Sequence, residues 1–161
     1  MSHVAAPSAV EYEASKRLLP VWFWPWFWRT FLVVSLAYAW YSFYVPSNEI
    51  TWAKDYSSAK QSASRTGGPM VLFFTGEWCV PCRIMKRVVW ADEEVETIVN
   101  EAFIPVMIYV GTPEATDALG QYRIGPTPTT IVTDANGNEL RRREGGIGKS
   151  EFLELLAGPT G

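Results

Sequence analysis

Cys79 and Cys82 are the only thiols in this 161-residue chain, and two residues separate them. Any internal disulfide is therefore Cys79–Cys82. A bridge over so short a loop restrains the unfolded chain weakly, because the entropy of closure grows with loop length. Its use lies in chemistry, in cycling between dithiol and disulfide. The flanking residues restrict the fold around it. Pro69-Met70-Val71-Leu72-Phe73-Phe74 is a continuous apolar run, the pattern of a strand covered on both faces. Thr75-Gly76-Glu77 interrupts it. From Val80 onward, Ile84, Met85, Val88 and Val89 recur at three- and four-residue spacing with Arg83, Lys86 and Arg87 between them, which predicts a helix. Cys79 then stands at the mouth of that helix, where free backbone N–H groups and the positive end of the dipole stabilise a thiolate. Such positions lower a cysteine pKa from about 8.5 to roughly 3.5–7.5. Pro81 falls in the first turn, where its missing N–H is no loss. Cys82, one turn further in, is more shielded and suited to resolving a mixed disulfide.

Glu77-Trp78-Cys79-Val80-Pro81-Cys82-Arg83 is followed in order by three other segments: Thr127-Pro128-Thr129, Asp134-Ala135-Asn136-Gly137-Asn138, and Gly145-Gly146 ahead of Lys149-Ser150-Glu151-Phe152-Leu153. Together they resemble the landmarks of the thioredoxin superfamily: the active-site signature, the cis-proline signature, the turn between the last two strands, and the lead-in to the last helix. The resemblance covers about residues 50–157. Thr66-Gly67-Gly68-Pro69 and Trp90-Ala91-Asp92-Glu93-Glu94-Val95 are similar to a branch with a leading helix. That branch includes the C-terminal domain of a bacterial membrane protein that carries reducing equivalents into the periplasm. The resemblance implies an α/β fold, a central mixed β-sheet flanked by helices. It implies a thiol–disulfide oxidoreductase with Cys79 and Cys82 catalytic. Trp78, Pro81, Thr127 and Pro128 are the implied substrate-binding residues, with Thr127–Pro128 cis and the backbone of Thr127 facing an extended substrate. The alternative for Trp78 is packing beside the active-site helix.

The chain departs from the family pattern at two places. Phe73 stands where typical members bury an aspartate, and residues 106–110 hold no lysine. The family's proton relay therefore does not carry over. Glu77 is the candidate substitute; otherwise it is a solvated loop carboxylate.

A second feature lies near the N-terminus. Between residues 18 and 45 the sole charge is Arg29. A membrane-spanning helix needs about 20 apolar residues. Pro25 is placed to open such a helix, leaving 26–45 as the span, with Arg29 reaching back to the headgroups. Trp22, Trp24, Trp26 and Trp28 crowd one end, while Trp40, Tyr41 and Tyr44 mark the other, as aromatic belts do. Lys16, Arg17 and Arg29 lie on the N-terminal side of the span; Asn48, Glu49 and Asp55 follow it, with Lys54 the nearby base. The positive-inside rule then puts residues 1–20 in the cytoplasm and the redox domain outside, in the periplasm or extracellular space, tethered to the cell's inner membrane by a single pass. The rival is a cleavable leader, since Ala37-Tyr38-Ala39 resembles a small-x-small cleavage site. Against it, the leader is long and Trp40-Tyr41-Ser42-Phe43-Tyr44-Val45 continues apolar beyond the site.

The expected organisation is a cytoplasmic tail over 1–20, a transmembrane helix over 21–45, a linker and leading helix over 46–68, and a thioredoxin-like domain over 69–158. Helices are expected over 47–65, 80–89, 113–122 and 151–157, with a further helical piece capped by Asp92. Strands are expected over 69–74, 103–110, 129–133 and 139–143, the last two joined as a hairpin across Asn136-Gly137. Arg141-Arg142-Arg143 is the sole basic cluster, read as a solvated edge strand guarded by charge. The net charge of −3 and the lack of a basic patch argue against nucleic acid as a partner. The one histidine, His3, leaves no Cys–His nucleophile pair and no haem motif, since Arg83 follows Cys82. Two sulfurs fall short of a structural zinc site, so no metal or cofactor is expected. Two thiolates suit Cu(I), which makes a tethered copper-delivery module the alternative function. No Gly-x-Gly-x-x-Gly loop binds a dinucleotide, so electrons come from another protein, a donor at the membrane. The expected partners are protein disulfides or dithiols, that donor, and the lipid bilayer through 21–45.

Overall fold

The computed structural model describes residues 23–158. The expected cytoplasmic tail over 1–20, with His3, Lys16 and Arg17, lies outside the described residues, as does Trp22 of the expected span. The chain divides into two units between Tyr44 and Val45.

The first unit contains helix α1 (Phe23–Phe43), 21 residues long. Its aromatic side chains meet along the helix, Trp24 edge-on to Trp28 at 5.8 Å between centroids and Phe27 stacked on Phe31 at 6.4 Å. Thr30 and Ser42 donate their hydroxyls to the carbonyls of Trp26 and Tyr38 one turn earlier, at 2.9 and 2.8 Å. Within the transmembrane segment expected over 21–45, Phe23–Phe43 is helical. Yet among the described residues no helix is long and apolar enough to cross a membrane. The physical reason is composition. Tryptophan and tyrosine carry polar N–H and O–H groups, and with Arg29, Thr30, Ser35 and Ser42 they hold down the mean hydropathy of α1.

The second unit runs through α2 (Tyr56–Thr66), β1 (Met70–Thr75), α3 (Val80–Val88), α4 (Glu93–Ala102), β2 (Ile104–Tyr109), a 3-10 turn (Pro113–Ala115), α5 (Thr116–Tyr122), β3 (Thr129–Thr133), β4 (Glu139–Glu144) and α6 (Lys149–Ala157). The sheet order is β2-β1-β3-β4. β1 runs parallel to β2 and antiparallel to β3, and β3–β4 is an antiparallel pair with a register shift at Val132/Thr133. All six residues of β1 are buried, as its uninterrupted apolar run requires of a central strand.

Alternation along β1 divides the core into two layers. Val71 and Phe73 face a cluster with Cys82, Met85, Val89, Trp90, Val99 and Phe152. Met70, Leu72 and Phe74 face the other, with Tyr56, Ala59, Ala63, Val106 and Tyr122. Trp90 centres the first layer, its ring 4.9 Å from Trp52, 5.1 Å from Phe73 and 4.7 Å from Phe152. In the second, the Tyr56 and Tyr122 hydroxyls meet at 3.1 Å, and Tyr122 donates to the Gly137 carbonyl at 2.9 Å.

The leading helix starts later than expected, at Tyr56 rather than 47. Asp55 caps it: its carboxylate accepts from Ser58 N–H at 2.7 Å while the Ser58 hydroxyl accepts from Asp55 N–H at 3.1 Å. Upstream, the backbone is committed elsewhere. Thr51 N–H donates to Asn100 Oδ1 at 2.9 Å, and Ala53 N–H donates to the Pro105 carbonyl at 2.8 Å beside β2. The expected helix over 113–122 opens as the 3-10 turn before α5. β4 is the edge strand expected for the arginine run, but all three arginines are engaged, Arg143 with Glu151 at 3.5 Å. Arg141 donates to the carbonyls of Leu155 and Leu156 at the end of α6, at 2.6 and 2.9 Å. Arg142 binds Glu139 at 2.6 Å and the Tyr122 carbonyl at 2.7 Å.

Candidate redox site

The turn after β1 delivers the cysteines to the start of α3. Cys79 N–H closes the turn on the Gly76 carbonyl at 3.3 Å. Cys79 is the N-cap of α3, with extended backbone (φ −76°, ψ 100°), and its sulfur accepts from Cys82 N–H at 3.2 Å. The two cysteines are joined as a disulfide, with Cα atoms 5.2 Å apart. Cys82 is fully buried in the first core layer, while Cys79 is half-buried and only packed against it. The amphipathic character of α3 sets this asymmetry. Cys82, Met85 and the following Val89 point inward. Val80, Ile84 and Val88, spaced four apart, form an exposed apolar strip on the outer face. Of the apolar positions whose spacing predicts this helix, Met85 and Val89 are buried, while Ile84 and Val88 are about half exposed.

Trp78 is 82% exposed, so it does not pack into the core beside α3. Pro81 is exposed in the first turn. Glu77 is exposed on the turn and makes no hydrogen bond to either cysteine among the described residues. The Thr127–Pro128 peptide is cis, and Pro128 is buried. Its carbonyl accepts from Gly145 N–H at 2.7 Å, and the Pro126 carbonyl accepts from the Thr129 hydroxyl at 2.8 Å.

Gly76 brings the two motifs together. A Cβ there would sit 3.6 Å from Cys79 Cβ, 3.7 Å from Val110 Cγ2 and 4.0 Å from Thr127 Oγ1. The cis-proline loop therefore borders the cysteine turn. Gly146 closes the other side, its own Cβ position 3.7 Å from Pro81 Cβ. Cys82 packs in the layer that holds Phe73, fully buried where typical members of the family carry an aspartate.

Beside the turn lies an open groove of about 930 Å³, lined by Glu77, Trp78, Arg83, Lys86, Met107 and Tyr109 among others. Lys86 spans part of it, its ammonium donating to the Tyr109 hydroxyl at 3.0 Å and lying 4.6 Å from the ring centroid. Sequence reasoning missed Gly76, Tyr109 and the outer strip of α3. Strip residues were visible as apolar positions, but which face they took depended on the packing of β1. Among the described residues no group of three or more His, Cys, Asp or Glu side chains is placed to hold a metal ion.

Residues 56–158 match the thioredoxin-like domain family. The thiol:disulfide interchange protein DsbD of Ralstonia nicotianae is 30% identical over 105 residues, 63% of this chain and 17% of that protein. The chain thus spans about a sixth of the length of the curated relatives it matches. Among solved structures, a thioredoxin from Thermus thermophilus superposes with a TM-score of 0.59 at 26% identity, over 67% of this chain and 85% of that one. The oxidised C-terminal domain of Neisseria meningitidis DsbD superposes with a TM-score of 0.53 at 23% identity, over 63% and 89%.

Proposed function

This chain belongs to the thioredoxin-like domain family, a thiol–disulfide oxidoreductase by its Cys79–Cys82 pair, and we propose that it works as a membrane-anchored, extracytoplasmic reductant of protein disulfides. The observation that carries this reading is the asymmetry of the pair. One sulfur is presented at a helix N-terminus and the other is buried behind it.

The cycle follows from that placement. In the dithiol, the Cys79 thiolate is stabilised by the Cys82 N–H and by the N-terminus of α3. It attacks one sulfur of a substrate disulfide. That S–S bond breaks, and the second substrate sulfur leaves with the electron pair and takes a proton. The Cys82 thiol then gives up its proton and attacks the Cys79 sulfur, and the substrate departs as a dithiol. The protein is left as the Cys79–Cys82 disulfide, and a donor dithiol protein at the membrane restores it. Glu77, on the turn, is our candidate to receive the Cys82 proton. Thr127 supplies the backbone groups that pair with an extended substrate, beside Pro128. Trp78 and Pro81 flank the exposed sulfur, and the strip of Val80, Ile84 and Val88 continues that contact surface along α3.

The anchor is α1. At 1.5 Å per residue it is about 32 Å long, against a hydrocarbon core of about 30 Å. Its apolar side chains are exposed on all sides, a distribution suited to lipid. Tryptophan and tyrosine lower its mean hydropathy but suit the headgroup level, where they concentrate at its ends. Thr30 and Ser42 satisfy their hydroxyls within the helix, as lipid demands. The domain limits 1–20, 21–45, 46–68 and 69–158, with the tail cytoplasmic and the redox domain periplasmic, belong to this proposal. The names of the DsbD relatives support interchange with protein thiols.

The test uses the full chain in membranes. Cys79→Ser should abolish disulfide reduction, and Cys82→Ser should accumulate mixed disulfides with substrate. After reduction, a membrane-impermeant maleimide should label Cys79 in intact cells. Full activity in Cys79→Ser refutes the redox assignment, and labelling only after lysis refutes the orientation.

A further inference from the structure

Thr75, the last residue of β1, has a fully buried side chain whose hydroxyl lacks a hydrogen-bond partner among the described residues. Its backbone is satisfied, with the carbonyl accepting from Val110 N–H at 2.8 Å. Buried hydroxyls are ordinarily paired, so a lone one calls for a reason. Strand formation does not supply it, because valine has the same shape and an equal taste for strands.

Its position does. Period-two alternation puts Thr75 on the face of β1 that holds Val71 and Phe73, the face covered by Cys82 and Met85. On one side its strand partner is Tyr109, whose hydroxyl meets Lys86 of α3 on that same face. On the other, extending the antiparallel register one residue beyond Phe74–Thr129 sets it opposite Pro128. Next in sequence is Gly76, which abuts Cys79 and Thr127. Face and register thus put Thr75 on the side of β1 that Cys82 covers, next to the turn that carries Cys79 and opposite the cis-proline loop.

We propose that Thr75 is a positioning residue of the redox pair: its hydroxyl pairs with the Cys82 sulfur when the disulfide opens. The inference rests on the thiol–disulfide cycle above. In the disulfide both sulfurs are neutral and bonded to each other, and they accept hydrogen bonds weakly. Reduction breaks that bond, adds two electrons and two protons from the donor dithiol and solvent, and lets the sulfurs separate to non-bonded distance. Cys82 then presents a thiol, or in the resolving step a thiolate, to which the hydroxyl donates. The hydroxyl is unpaired in one redox state and paired in the other, so it favours the dithiol.

The experiment equilibrates full-length wild type, Thr75→Val and Thr75→Ser with glutathione buffers and reads the redox state by alkylation. Thermal unfolding is measured for both forms of each. Thr75→Val should shift the equilibrium about tenfold toward the disulfide, about 30 mV for a two-electron couple. Thr75→Ser should stay within twofold of wild type. Oxidised Thr75→Val should melt higher than oxidised wild type, with no such gain in the reduced form. A Thr75→Val equilibrium within twofold of wild type overturns the proposal, as does an equal change in melting of both forms, the mark of a purely structural hydroxyl. Thr75→Ala repeats the measurement should the valine variant not fold. Failure of the wild type to exchange with glutathione at all would instead strike the proposed function.

Discussion

Two tryptophans near the redox pair should respond to truncation in opposite ways. Trp90 is fully buried, with three aromatic rings at 4.7–5.1 Å between centroids, drawn from the linker, β1 and α6. Replacing a buried tryptophan with alanine costs about 3–5 kcal/mol. The ring pairs contribute roughly 0.5–1.5 kcal/mol each beyond area burial, which puts Trp90→Ala at the upper end of that range. Against a total stability of about 5–15 kcal/mol for a domain, this is a large share. A loss of that size lowers the melting temperature by about 10–20 °C. The Trp90 indole N–H has no partner among the described residues, so Trp90→Phe keeps the ring packing, sheds an unpaired donor, and should cost under about 1.5 kcal/mol. Trp78, at 82% exposed, should change stability by no more than about 0.5 kcal/mol when cut to alanine, yet slow reduction of protein disulfides. Urea denaturation followed by near-ultraviolet circular dichroism, with turnover measured on the folded protein, separates the two effects. A Trp90→Ala cost below about 1 kcal/mol, or a larger stability loss in Trp78→Ala, would refute the assignment of Trp90 to the core and Trp78 to the contact surface.

The link between α4 and α6 should be pH-dependent. Lys149 lies 2.7 Å from Asp92 and 2.8 Å from Glu94. Its hydrogen bond is the main cause that holds the Asp92 carboxyl below its usual range, and those carboxylates hold Lys149 above its own. A depressed acid contributes above its unfolded pKa and loses that contribution as pH falls through the folded value. A raised base contributes below its unfolded pKa and loses it as pH rises through the folded value. The link is therefore complete from about pH 4 to about pH 10. Lys149→Met should flatten the alkaline limb and shrink the acid one, since Asp92 still caps α4; chemical denaturation across pH reads this. Gly137 has φ +84° and a Cβ position 3.4 Å from the Tyr122 hydroxyl. Gly137→Ala should cost about 1–2 kcal/mol for the left-handed backbone alone, seen as a lower urea midpoint.

Much of this fold is written in local pattern. The apolar run of β1, the helix entry at Val80 and the bounds of β3 rest on short-range signals, and each appears where the sequence places it, whereas the cis peptide at Pro128 is expected from the family resemblance alone. Non-local contacts are where the reading fell short. Residues 47–55 have helix-compatible spacing, but Asn100 and Pro105, some fifty residues on, hold their backbone extended. Ile84 and Val88 look like core on a helical wheel, and only the position of β1 turns Cys82 and Met85 inward instead. The lone hydroxyl of Thr75 had no signature, because threonine is ordinary in a strand until its surroundings are known.

The burial of Cys82 carries a kinetic consequence. With a single sulfur within reach of visitors, the protein that loads electrons and the protein that collects them must dock at one doorway. They take turns. Turnover should follow a ping-pong scheme in which each partner, in excess, competes with the other, and throughput depends on how quickly one vacates for the next.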